Sequence, residues 1–169
     1  RLITFNWFNK DGKYDLRIVR FDGSGERIVY TCPAGIVDVY PLDWTPDGRS
    51  ILANLYRSEV ETDLVLIAVG DGSVRTIKPG GKNEETDAQL SQDGRWIAYG
   101  KRGGLFLIEV ASGKVFPLEE HPADHAVIGW TRDGRSLLFQ SDRSGTQDAW
   151  TEIETQHRIV PAPVPVLFE

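Results

Sequence analysis

The sequence offers little material for chemistry. In 169 residues it has one cysteine, Cys32, and three histidines. A lone cysteine excludes an intramolecular disulfide and a zinc site of the Cys-x-x-Cys kind, and it leaves the redox compartment open. No basic run exceeds Lys101–Arg102, and the net charge is −6. Phosphate-backbone binding needs clustered Lys and Arg, so nucleic acid is not expected as a partner. The longest strand-like apolar run, Leu64 to Val69, falls far short of the roughly 20 residues of a membrane-spanning helix. The apolar stretch Ile159 to Phe168 carries Pro161, Pro163 and Pro165, which are incompatible with a helix. Membrane insertion is therefore not expected. No signal peptide is visible, and the chain begins at Arg1 rather than Met, so a processed or excised segment is the expectation.

Recognisable catalytic patterns are missing as well. There is no Gly-x-Ser-x-Gly elbow, no P-loop and no dinucleotide-binding glycine pattern. Ser144 sits in a loop with no base nearby in sequence, so no catalytic residue is assigned. His121 and His125, four apart in "HPADH", would share one face of a helix as zinc ligands do. Pro122 and the loop position argue against that helix, so both read as exposed loop histidines, with no metal and no cofactor expected. "FDGSGE" (Phe21 to Glu26) lacks the alternating acids of a calcium loop and reads as a hairpin turn. "NEETD" (Asn83 to Asp87) reads as a solvated loop.

What the chain does contain is one turn written three times: "DWTPDGRSILANL" from Asp43, "QLSQDGRWIAYGK" from Gln89 and "GWTRDGRSLLFQS" from Gly129. The Asp-Gly pairs Asp47–Gly48, Asp93–Gly94 and Asp133–Gly134 are spaced by 46 and 40 residues. After each turn come Arg and a short apolar run, then a second run and a tight hairpin, such as "DLVLIAVGDGSVRTI" or "GLFLIEVASGKVFPL". Gly70, Gly72 and Gly113 are expected to supply the positive φ such hairpins require. The stretch before each turn reads as one further strand. Four strands in about forty residues, without helical 3.6 spacing, predict an all-β fold built as a β-propeller of four-stranded antiparallel blades.

The start of the chain follows the same count. Arg49 lies 14 positions before Asp63, Arg135 lies 13 before Asp148, and Arg1 lies 14 before Asp15. Arg1 thus aligns with the Arg of the turn, and the first blade is expected to lack its innermost strand. The expectation is one domain, 1–169, with about four blades: a partial one over 1–34, then 35–80, 81–120 and 121–160. The tail 161–169 either closes the first blade or opens a further one. The whole is expected to be part of a larger propeller, whose open blade edges invite a homodimer.

At "SDRSGTQDAWTEI" (Ser141 to Ile153), preceded by "WTRDGRSLLF", the sequence resembles the TolB-type, WD40-like β-propeller repeat. That pattern runs Trp-Ser-Pro-Asp-Gly, a strand, Ser-Asp-Arg, a glycine-containing loop and Asp-Ile-Trp or Asp-Ile-Tyr. "WTPDG" and "WTRDG" match it, whereas Leu90 replaces Trp in "LSQDG" and only the last unit keeps Ser-Asp-Arg. The Asp of each turn is expected to accept backbone N–H bonds, with Gly in left-handed φ, while Trp44 and Trp130 fill space between sheets. Inner strands of such propellers line a channel, and Tyr40, Glu85 and His125 are placed at its mouth as candidate binding residues. The resemblance implies a non-catalytic module binding a protein or peptide, periplasmic or otherwise extracytoplasmic, in a bacterial envelope complex or sensor. The alternative it implies is the gating propeller of a prolyl oligopeptidase or dipeptidyl peptidase. A carbohydrate-binding or lyase propeller would need aromatic platforms or metal-binding histidines at the channel.

Overall fold

In a computed structural model the described residues are 1–80, 87–146, 148–155 and 158–162, with side chains through Trp150. The chain forms two compact units, Arg1–Glu85 and Thr86–Glu169. All regular structure in the described residues is β, and no helix there is long and apolar enough to cross a membrane.

The first unit holds two antiparallel sheets. One has three strands in the order β1 (Leu2–Phe8), β2 (Tyr14–Arg20) and β3 (Arg27–Thr31). The other has four: β4 (Asp38–Trp44), β5 (Ser50–Ser58), β6 (Glu61–Ala68) and β7 (Val74–Lys78). The second unit holds two four-stranded sheets. These are β8 (Ala88–Leu90), β9 (Trp96–Lys101), β10 (Gly103–Glu109) and β11 (Val115–His121), then β12 (His125–Trp130), β13 (Ser136–Ser141), β14 (Asp148–Thr155) and β15 (Arg158–Ala162). Strand β15 pairs with β14 through Ala162, two residues into the segment read as a tail. Residues 163–169 lie outside the described ones.

Register makes the four sheets comparable. Trp7 faces Asp15, Leu55 faces Asp63, Lys101 faces Gly104 and Ser141 faces Asp148. On that frame Arg1 is equivalent to Arg49, Arg95 and Arg135. The Arg1 carbonyl accepts from Phe21 N–H as the Arg49 carbonyl accepts from Val69 and that of Arg95 from Val110. The irregularities repeat as well. Inner strands β4 and β12 each carry a bulge, at Leu42 and Ile128, opposite the same pair of positions in the next strand. The outer strands β3, β7 and β11 each carry one at Val29, Ile77 and Leu118. A bulge bends a strand and increases its twist, so the sheets that share a bulge position are bent at the same place.

Alternating apolar residues of these strands make one core per unit. Leu16, Ile18 and Cys32 of the first sheet pack with Val39, Ile51, Ala53, Leu55, Val65 and Ile67 of the second. In the other unit Ala98, Leu105 and Leu107 pack with Val127, Leu137 and Phe139. Each fully buried Leu, Ile or Phe contributes about 1.5–3 kcal/mol by leaving water. Trp44 and Trp130 pack on the flanks of these cores, half-buried, and the Trp130 indole N–H donates to the Gln89 carbonyl.

The recurring turn is built on a hydroxyl. Thr45, Ser91 and Thr131 each donate to the Asp two residues on, at 2.7, 2.6 and 2.6 Å. Each also accepts the N–H five residues on, at 2.9, 3.0 and 3.0 Å. The same Asp oxygens accept from Arg49, Arg95 and Arg135 N–H. Gly48, Gly94 and Gly134 sit at φ 67°, 70° and 68°, where a side chain is disfavoured. The hairpin expectation needs one correction. Gly72 and Gly113 are left-handed but Gly70 is not. Gly72 N–H returns to the Ala68 carbonyl, so one left-handed residue suffices to close that hairpin.

Candidate functional site

The three candidate channel-mouth residues have different surroundings. Tyr40 lies in β4 opposite Asn54 and is 52% exposed. Glu85 lies outside the described residues. His125, the first residue of β12, is only 5% exposed and faces Ser141. Tyr40 belongs to the first unit and His125 to the second.

His125 is not an exposed loop residue, and that expectation is corrected. In register it occupies the place of Val39, a core position in the preceding unit. The side chain at this register position, Val39 in β4 and His125 in β12, points into the space between neighbouring sheets and is buried there. His121 ends β11 and accepts Ala123 N–H at its Nδ1, 3.2 Å away. The two rings meet edge to face at 6.0 Å. Among the described residues no three His, Cys, Asp or Glu side chains gather as a metal site would require.

Around His125 the structure assembles a polar network that spacing alone did not reveal. The Arg143 guanidinium makes two bonds to the Glu119 carboxylate, 2.5 and 2.7 Å, and lies 3.0 Å from His125 Nε2. Arginine only donates, so Nε2 must be an acceptor, and Nδ1–H then donates to the Ala123 carbonyl at 2.9 Å. The imidazole is thereby held neutral in one tautomer. Burial lowers its proton affinity first, and the neighbouring Arg143 and His121 add to that against opposing help from Ala123 and Glu119. Arg143 also reaches Ser141 Oγ and lies between the Phe139 and Trp150 rings, 4.9 Å from each centroid. Among the described residues the buried Trp150 indole N–H has no acceptor, a cost of about 1–3 kcal/mol.

Ser141 is buried, and its Oγ is 3.5 Å from a His125 nitrogen already occupied by Arg143. The other ring nitrogen faces a carbonyl rather than a carboxylate, so the base-and-orienter geometry of an activated serine is not present. The Ser-Asp-Arg element at Ser141 to Arg143, which by itself reads only as part of the repeat, is the sequence signal that could have found this network. What spacing did not show was the partner, Glu119, which comes from the adjacent sheet.

Arg143 departs from its register equivalents. Asn9, Arg57 and Gly103 occupy the same position, two residues past the strand pairs above. Asn9 donates to Asp15 and Arg57 to Asp63, within their own sheets. In the last sheet Asp148 instead accepts from Ser144 and Thr146 hydroxyls, leaving Arg143 free to cross to Glu119. In the third sheet Gly104 replaces the Asp, and a Cβ there would lie 2.0 Å from the Glu119 carbonyl oxygen.

Four antiparallel sheets that share one register, three of them entered by the same turn, define a β-propeller, and the comparisons agree. The chain has the fold of the TolB propeller of Acinetobacter baumannii, with a TM-score of 0.75 and 19% identity over 95% of this chain and 41% of that one. It is similar in fold to a puromycin-hydrolyzing peptidase of Mycobacterium tuberculosis, with a TM-score of 0.67 and 13% identity over 98% of this chain and 32% of that one. By sequence it is 29% identical over 142 residues to the uncharacterized peptidase YuxL of Bacillus subtilis, 79% of this chain and 19% of the relative. No family model matches. The chain thus spans about a fifth of its curated relative and under half of the TolB chain.

Proposed function

We propose that this chain is a non-catalytic propeller module that binds peptide or protein segments and presents them to a peptidase domain. One observation carries the setting. The fold is shared by TolB and by peptidases at similar scores, so it does not discriminate, whereas the 29% identity to a peptidase is a sequence relation. Fold alone does not define function. The absence of an activated nucleophile around Ser141 supports a binding role rather than hydrolysis by the described residues.

A second reading, a TolB-type module of a bacterial envelope complex or sensor outside the cytoplasm, draws on the Asp-Gly turns and the Ser-Asp-Arg element that resemble the TolB-type repeat. The two part at one experiment. The purified chain is titrated with a fluorescent peptide library and assayed against peptide anilides. Micromolar binding of short peptides without hydrolysis supports the peptidase-linked module. Retention of an envelope protein with no peptide binding supports the second reading, and hydrolysis by the chain alone overturns both.

A further inference from the structure

We propose that His125, Arg143 and Glu119 form an acid-released latch, in which a proton taken up at His125 Nε2 frees Arg143 and with it the loop 142–146 between β13 and β14. The inference is independent of the parent in which the propeller works.

The geometry carries it. Nε2 accepts only while the ring is neutral, and its donor is a cation 3.0 Å away. Protonation places an N–H against an N–H and a positive charge against another, in a buried space where screening by water is weak. The ring cannot relieve this by exchanging nitrogens, because Nδ1–H is already committed to the Ala123 carbonyl. Arg143 is the member that can leave, since it sits on a turn and not in a strand.

The charges that face the ring come from β11 and from the loop after β13. Strand β11 presents Glu119 and His121, and the loop presents Arg143 and Asp142, the latter accepting Asp124 N–H at 2.9 Å. Strand β9 brings its Gly100 backbone against the His125 carbonyl, and the Lys101 ammonium lies over the Phe106 ring. Strand β14 contributes Trp150, and its Asp148 is held by Ser144 and Thr146. Among the described residues Glu119 is the acid that acts on the ring. It already takes both Arg143 bonds, so on protonation it has two cations to satisfy and Arg143 is the more solvated choice outside.

The pH direction follows from burial. The folded imidazole binds its proton more weakly than an ordinary histidine of 6.5. Uptake, and release of the latch, therefore begins below that value. Stability contributed by the neutral ring is present above it and is lost as pH falls.

The test is nuclear magnetic resonance on the 15N-labelled chain between about pH 7.5 and pH 5. At the upper end His125 should show the Nδ1–H tautomer, and Arg143 Nε–H should be resolved and slow to exchange. Through the His125 titration the Arg143 signal should speed up in exchange by about tenfold or more beyond the intrinsic pH effect. The variant His125→Val, which restores the residue of the sister strand, should keep Arg143 protected at both ends of the range. Arg143 protection persisting after His125 is protonated overturns the proposal, as does loss of protection in His125→Val over the same interval. Global unfolding of both proteins at the lower pH, seen by circular dichroism, overturns it too, because acid sensitivity would then lie elsewhere.

Discussion

Arg143 grips Glu119 of the adjacent sheet through two parallel hydrogen bonds, whereas its register twin Arg57 holds Asp63 of its own sheet. The same sequence position thus serves as a clip within one blade or as a stitch between two. The Arg143 and Glu119 side chains are only 14% and 18% exposed, so removing one strands the other. Arg143→Ala should cost about 2–4 kcal/mol, and Glu119→Gln somewhat less because the amide still accepts. In a double-mutant cycle by urea unfolding, a coupling of about 1–3 kcal/mol is expected. The equivalent cycle on Arg57 and Asp63, where Arg57 is 43% exposed, should give well under 1 kcal/mol.

The turns predict an acid dependence of a different origin. Hydrogen bonds from Arg49 N–H and the Thr45 hydroxyl hold Asp47 below the usual carboxylate range, and Asp93 and Asp133 are lowered by the corresponding donors, hydroxyl first. Depressed acids contribute stability above their ordinary value near 3.8, which is lost as pH falls through the folded values. Replacing all three by Asn should lower the urea midpoint at neutral pH. As pH falls through those lowered values the variant and the parent should converge, because the aspartates then lose their charge as well.

Much of this fold is legible in the sequence because it is periodic. Asp-Gly at three spaced places announces equivalent turns, and short apolar runs between turn residues announce strands. The hydroxyl two residues before each Asp was visible in "WTPDG", "LSQDG" and "WTRDG", yet its role needs the closed geometry, since it joins residues five apart. The site was less legible. His125 reads as a loop histidine because Pro122 and Asp124 surround it, and only strand register reveals that it stands where Val39 stands. Glu119 was hidden for the same reason that partners across sheets usually are: the contact has no sequence spacing to recognise.

Two kinds of glycine should respond differently to alanine. Gly48 is left-handed with nothing within 4 Å of a built Cβ, so Gly48→Ala should cost about 1–2 kcal/mol of backbone strain and no more. Gly80 is not left-handed, but its Cβ would lie 1.4 Å from the Thr62 carbonyl oxygen. The chain there must shift, and its N–H bond to Asp63 with it. Gly80→Ala should therefore cost about 3 kcal/mol or more. Calorimetry on both variants checks the order; equal losses would show that the strand end moves freely.

Among the described residues β1 pairs only with β2, whereas its equivalents β5, β9 and β13 each carry an inner strand on the other side. Its outward apolar residues include Trp7 and Phe8, 54% and 60% exposed. An apolar open edge is a template for a second chain. Sedimentation velocity should show reversible, concentration-dependent self-association of this chain. A lysine on the edge, Ile3→Lys, should abolish it without changing the circular dichroism spectrum. A monomer at all concentrations would exclude pairing through this edge.

Cys32 should react slowly in the folded protein. It is buried in the core beside Leu16 and Val39, and burial, aided by Asp38 and Asp15, pushes its thiol up to about 11. Since the thiolate is the nucleophile, a thiol at that value presents about two orders of magnitude less of it at pH 8 than a free cysteine near 8.5. Steric burial slows attack further. A chromogenic disulfide reagent at pH 8 should thus label the folded protein at least a hundredfold more slowly than a free thiol, and label the urea-unfolded protein at the ordinary rate. The rate in the folded state then reports opening of the first unit's core, and it should rise with the strain of Gly80→Ala, which lies in that unit, while Arg143→Ala in the other leaves it unchanged.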